Sequence, residues 1–264
     1  MEWWLGYAAI GAAVGFFAGM LGIGGGAIMV PLLVILFEAQ GLPKSQILHL
    51  AVGTGMSTIL FTSIASVRAH AARGAIRWDI ARNITPGILV GGLVGSWLAS
   101  FIPPLVFAAL FTVVIYGAAT NMLLDRRPAP SREAPGLLGM SAFGFVVSAV
   151  SAFTAIGGAF MTVPFMLWCN VPMLQAIGTA AAIGFPIAAA GTAGFVITGM
   201  KEASLPPYSV GFVYLPAMAG IVVASMLMAP VGAAAAHRLP TLWLKRIFAL
   251  LFYVMATRML LSFV

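Results

Sequence analysis

From Trp3 to Phe37 the chain carries no charged side chain, and from Ala134 to Met200 it carries none again. Runs this long admit few folds. One helix crosses the roughly 30 Å hydrocarbon core with about 20 apolar residues, so each run holds more than one crossing. Charge is sparse elsewhere too: 7% of the 264 residues are charged and 62% are hydrophobic, where a soluble domain carries about 25% charged residues. Backbone in lipid must satisfy its own hydrogen bonds, which leaves helices or a closed barrel. Barrel strands would read as weakly alternating segments of about ten residues rather than solid apolar blocks. The expected fold is an all-α polytopic membrane protein.

Glu2 stands where a secretory signal would place basic residues, and the run from Trp3 is too long for one. The single cysteine, Cys169, excludes an intrachain disulfide and a cysteine-built metal site. No metal and no cofactor are expected. A net charge of +7 fits basic cytoplasmic loops rather than a nucleic-acid partner.

Polar interruptions fall at Glu38–Ser45, Arg68–Arg82, Pro103-Pro104, Asp125–Pro135, Asn170–Met173, Lys201–Pro207 and His237–Thr241, leaving eight hydrophobic blocks. The stretch DRRPAPSREAP reads as an exposed linker. It divides the chain into an N-terminal transmembrane repeat (1–124), a linker (125–135) and a C-terminal repeat (136–264). The two repeats resemble each other. IGGGAIMVPLL (Ile23–Leu33) matches IGGAFMTVPFM (Ile156–Met166) without a gap, and AVGTGMS (Ala51–Ser57) answers AIGTAAA (Ala176–Ala182). A fainter match pairs Ile84–Ser96 with Tyr214–Met226. Internal duplication is the usual build of secondary transporters.

Trp3–Phe37 as one helix would be over about 50 Å long, too much for a single crossing. Each repeat is therefore expected to begin with a glycine-broken or re-entrant helix, followed by three transmembrane helices. Equivalent loops differ in charge. Arg68–Arg82 holds four basic residues against one in Lys201–Pro207, and the Pro103 turn holds none against three in His237–Arg246. Such a swap is expected when two repeats are inverted in the membrane.

Gly22 to Ala27 fits the dinucleotide pattern G-x-G-x-x-A, but the context does not. That fingerprint needs a preceding strand, a soluble helix and an acid about 20 residues on. Here the flanks are lipid-compatible. Glycines with a following proline can instead interrupt a helix inside the membrane. Such backbone is tolerated where protein or a water-filled cavity covers it, and the freed amides at a half-helix N-terminus attract anions. The candidate anion site comprises Gly22, Gly24, Gly25 and Gly26 with Thr154, Gly157 and Gly158, the helix breaks being set by Pro31 and Pro164. The alternative use of glycine is close helix packing, as at Gly15–Gly19 or Gly87–Gly91–Gly95.

G-x-x-G-x-G-G-G-x-x-x-x-P at Gly19–Pro31, G-G-x-x-x-x-x-P at Gly157–Pro164 and AVGTGMSTI from Ala51 resemble the TauE/SafE sulfite exporter family of bacterial membrane permeases. In the second motif Ala155 replaces a glycine of the first. The resemblance covers essentially the whole chain. It implies export of sulfite or small organosulfonates across the cytoplasmic membrane, driven by the proton gradient.

The remaining polar residues agree with an anionic cargo. All six acids lie in loops or near helix ends, which argues against a cation channel or a carboxylate proton relay. Hydroxyls take their place. Thr54, Ser57 and Thr58 share a helical face, and Thr179 repeats Thr54, so Thr54, Ser57 and Thr179 are candidate ligands. Thr62 and Ser66 follow on the same block. His49 and His70 are candidates for proton coupling, because histidine titrates near neutral pH. Arg68 is a candidate for drawing anions inward. A passive anion channel would share the site without the histidines. An intramembrane enzyme lacks a visible carboxylate pair or Ser–Lys pair. The expected partners are a small anion and lipid, and the oligomeric state is open, a homodimer included.

Overall fold

The computed structural model describes residues 3–21, 25–124, 134–202, 204–236 and 241–264. Among these the chain is almost entirely helical. The elements are α1 (Trp3–Leu21), α2 (Gly26–Ala39), α3 (Lys44–Ala71), α4 (Trp78–Ala99), α5 (Pro104–Leu124), α6 (Leu137–Thr154), α7 (Ala159–Trp168) and α8 (Met173–Gly199). A small hairpin of β1 (Ser209–Val210) and β2 (Val213–Tyr214) precedes α9 (Leu215–Ala236) and α10 (Thr241–Leu261). Six of the helices (α1, α3, α5, α6, α8 and α9) are long and apolar enough to cross a membrane. α4 and α10 have similar lengths but carry charges towards their ends, such as Asp79 and Arg82, or Arg246 and Arg258.

The first block of each half is split, as expected, but not by its proline. α2 runs through Pro31 and α7 through Pro164. Each proline falls at the sixth helical position and only removes one hydrogen bond of the ladder. The breaks come earlier, where Gly25 and Gly158 stand as N-caps. α1 and α2 form an antiparallel hairpin: Gln40 Nε2 donates to Tyr7 Oη at 2.6 Å, and a Cβ on Gly25 would strike Val14 Cγ1. α6 and α7 repeat this, with a Cβ on Gly158 meeting Val147 Cγ1 at 2.8 Å. With ten residues, α7 is about 15 Å long and cannot cross.

The halves are interleaved. α3 and α8 cross at the centre and run antiparallel, Gly53 lying by Phe195 and Gly191 by Met56. α5 and α10 are also antiparallel, Thr112 Oγ1 reaching Ala256 O and Thr120 Oγ1 reaching Tyr253 Oη. On one flank α1 packs parallel to α9, with Gly11, Gly15 and Gly19 against the backbone of Ile221, Ser225 and Ala229. On the other flank α4 packs parallel to α6, with Gly87, Gly91 and Gly95 against Ser141, Phe145 and Ala149. The glycine spacings suited to packing do serve packing here. Lipid supplies no hydrophobic drive for such contacts, so close van der Waals approach over small residues holds the pairs.

The faint third match takes a different register. Gly11 meets Ile221 as Gly144 meets Ile84, so Ile84 corresponds to Ile221 and not to Tyr214. Gly74 and Gly211 then correspond, and both have positive φ, 64° and 54°. Arg68, Arg73, Arg77, Arg82 and Arg246 gather at the end where α3 finishes and α4 and α10 begin. Lys44, Lys201 and Arg258 lie at the opposite end.

Gly15→Val would drive its side chain into the Ser225 backbone, whereas a Cβ at Gly117 meets open space. Gly15→Val is expected to lower the melting temperature in detergent by about 5 °C or more. Gly117→Ala should leave it unchanged or slightly raised.

Candidate functional site

The recurring Gly-Thr pair has a structural task. A Cβ on Gly53 would strike Phe212 O, and a Cβ on Gly178 would strike Ala75 O. Beside them, Thr54 Oγ1 accepts the N–H of Tyr214 at 3.0 Å, and Thr179 Oγ1 accepts the N–H of Arg77 at 2.9 Å. Each pair is a socket on one half for the loop that opens the fourth helix of the other half. Both threonines are fully buried. Thr54 O also accepts from Ser57 Oγ at 2.8 Å and Thr58 Oγ1 at 2.9 Å.

The two broken helices meet in the middle of the protein. A Cβ on Gly26 would collide with the carbonyl oxygen of Ala155 and approach Ile156 N to 3.3 Å. Ala155 ends α6 in the left-handed region at φ 49°, and Gly158 begins α7 at φ 72°. Neither α2 nor α7 has a side-chain cap. Gly25 O accepts from Ile28 and Met29, and Gly158 O from Met161 and Thr162. The first amides of each helix have no intrahelical acceptor by construction, and they carry the positive end of the helix dipole.

A cavity of about 520 Å³ starts at this meeting point. Its deep end is lined by Gly25, Met29, Gly157, Ala159 and Gly184. It extends along α3 past Thr58, Thr62, Ser63 and Ser66 to His70, with Ala18 of α1 and Ser225 of α9 facing α3. Its outer end therefore lies with the basic residues at the finish of α3. Thr58, Thr62, Ser66 and His70 recur every fourth residue, which places them on one helical face. Thr62 Oγ1 contacts Thr58 O at 3.3 Å and Ser63 Oγ contacts Leu60 O at 2.9 Å. Such hydroxyl rotors can exchange a carbonyl for a ligand oxygen. Among the described residues, His70 is the only titratable side chain in the wall.

Of the residues singled out from sequence, Gly25, Gly157 and His70 line the cavity, together with Thr58, Thr62 and Ser66. Gly22 and Gly24 lie outside the described residues. Gly26 and Gly158 stand at the meeting point, but in its packing rather than in the wall. Thr154 is buried, with its hydroxyl on Val150 O at 3.3 Å. Thr54, Ser57 and Thr179 are not in the wall. Arg68 is exposed near the outer end. His49 is remote: its Nε2 lies 3.0 Å from Ala99 O, with its ring between Phe107 and Phe212. The wall hydroxyls of Ser63 and Ser225 went unnoticed in the sequence. No spacing pattern marks those two, whereas the four-residue ladder from Thr58 to His70 is visible in the sequence.

The family model described as sulfite exporter TauE/SafE matches residues 7–259. A "probable membrane transporter protein" of Haemophilus influenzae is 32% identical, over 96% of both chains. One from Methanocaldococcus jannaschii is 26% identical over 78% of this chain and 76% of its own. One from Bacillus subtilis is 25% identical over 88% of this chain and 90% of its own. No solved structure gives a significant match.

Thr54→Val keeps the shape but strands the half-buried Tyr214 N–H, at a cost of about 1 kcal/mol. Its melting temperature should fall, and Thr54→Ser should restore it.

Proposed function

The chain belongs to the TauE/SafE sulfite exporter family, and from that premise we propose that it is a secondary transporter that exports a small sulfur oxyanion, sulfite or an organosulfonate, across the bacterial cytoplasmic membrane. The anion rests at the deep end of the cavity, against the first amides of α2 and α7. The observation that carries this reading is that both uncapped helix N-termini open on one cavity whose wall, among the described residues, holds no carboxylate. Two half-helix dipoles directed at one point favour negative charge without a fixed cation, so the anion can also leave. Hydroxyls of Thr58, Thr62 and Ser66 replace part of its hydration on the way.

The repeats are read as inverted, supported by the antiparallel α3–α8 and α5–α10 pairs. The end rich in arginine is cytoplasmic by the positive-inside rule. The cavity then loads from the cytoplasm, as export requires. A cavity that ends at mid-depth favours a gated carrier over an open pore. His70, at the mouth, couples the cycle to protons.

Flux into proteoliposomes tests this. A Cβ at Gly157 meets nothing within 4 Å, so Gly157→Leu fills the site without distorting the break. Sulfite flux should fall by about tenfold or more, the loss of roughly 1.4 kcal/mol of binding, with the melting temperature unchanged. Full-rate flux in that variant would remove the amide site from the account. His70→Gln should transport down a sulfite gradient yet lose the acceleration that a pH gradient gives the wild type.

A further inference from the structure

The cavity described above lies on one side of the α3–α8 crossing. Ala65 of α3 and Ala229 of α9 both face it. Their equivalents in the other half are Ala190 of α8 and Gly92 of α4, by the register that Gly53/Gly178 and Ile84/Ile221 set. These are in contact: a Cβ on Gly92 would lie 2.6 Å from Ala190 Cβ and 2.8 Å from Ser148 Oγ. Near by, a Cβ on Gly194 would strike Ser96 Oγ, and one on Gly158 would come within 2.7 Å of Ile187 Cδ1. At these positions the path that would mirror the cavity is closely packed.

That packed path contains polar groups a permanently closed seam would not keep. Ser148 and Ser151 of α6 are fully buried, and their hydroxyls have no hydrogen-bond partner. Ser151 is the equivalent of Ala18, which lines the open cavity. A buried hydroxyl without a partner costs free energy, and that cost disappears when water reaches it. The moving parts are also defined. Gly87, Gly91 and Gly95 seat α4 directly on the α6 backbone, as Gly11, Gly15 and Gly19 seat α1 and α9 together. Each flank is thus a rigid pair drawn from both halves.

We propose that the chain has a second state in which the α4–α6 pair swings from α8 and the α1–α9 pair closes on α3, opening a mirror cavity to the Lys44 end lined by Val147, Ser151, Ile88, Gly92, Ile187 and Gly191. The inference rests on the transport reading, since it supplies the release path for an anion loaded from the other side. The two conformations are an exchange of roles between equivalent repeats, and the Gly26–Ala155 contact at the centre is common to both.

Cysteine accessibility tests it in purified, detergent-solubilised protein carrying Cys169→Ala, without any cargo. Ser151→Cys should react with a polar maleimide, although this structure buries it. Ala65→Trp wedges the open cavity and keeps the α1–α9 pair from closing, so it should slow that reaction about tenfold, a population shift of that size. Phe101→Cys, exposed at the Lys44 end, should react equally with and without the wedge. Ser148→Cys should repeat the Ser151→Cys pattern if the latter folds poorly. The proposal is overturned if neither serine position reacts while Phe101→Cys goes to completion, or if the wedge leaves their rates unchanged. Absent sulfite flux would overturn the transport reading and leave the labelling result standing.

Discussion

Everything in this protein depends on two interrupted helices placing bare backbone at the centre of an apolar molecule. Lipid cannot hydrogen-bond a free amide, so each break must be covered by protein or by a polar cavity. Here each does both. Gly26 is pressed against the carbonyl of Ala155, so the break in one half covers the break in the other. The side not covered opens on the cavity. Gly26 has no room for a side chain, and Ala155 adopts the left-handed backbone that glycine tolerates best.

The crossed sockets enforce this meeting. Gly53 and Thr54 receive the Phe212–Tyr214 loop, and Gly178 and Thr179 receive Ala75–Arg77. Each half therefore holds the other's fourth helix at its starting point, while glycine ladders bind α1 to α9 and α4 to α6. The α3–α8 crossing and the two breaks form a centre, and the flanking pairs are the parts left to move. Arg77 is also tied to Asp79 by paired bonds of 2.9 and 2.6 Å, whereas Arg68 and Arg73, on either side of His70 in the chain, are exposed.

Much of this was legible in the sequence because it is written in composition and exact repetition. Uncharged runs beyond one crossing length required several helices, and the ungapped match of Ile23–Leu33 with Ile156–Met166 located both breaks. What was not legible depended on which partner a residue meets. Thr54 and Thr179 recur, and recurrence suggested ligands; in the structure their hydroxyls accept backbone amides more than a hundred residues away. Pro31 and Pro164 looked like the breaking residues, but a proline near a helix start is tolerated, and the glycines before it set the break. The match of Ile84 with Tyr214 followed Pro86 and Pro216; Gly74 and Gly211, with their shared positive φ, carry the true register. The Thr58–His70 ladder was visible as spacing, yet nothing in the sequence tells a cavity-facing stripe from a buried one.

The central claim, that the first amides of α2 and α7 jointly hold the transported anion, is tested most directly by anomalous diffraction from crystals soaked in selenite, a heavier analogue of sulfite. The account predicts one dominant selenium peak within about 4 Å of the backbone nitrogens at the starts of both α2 and α7, the separation expected when selenite oxygens accept ordinary N–H bonds. A dominant peak elsewhere in the cavity, at Arg68 or His70 for example, or no ordered selenium at all, would contradict it.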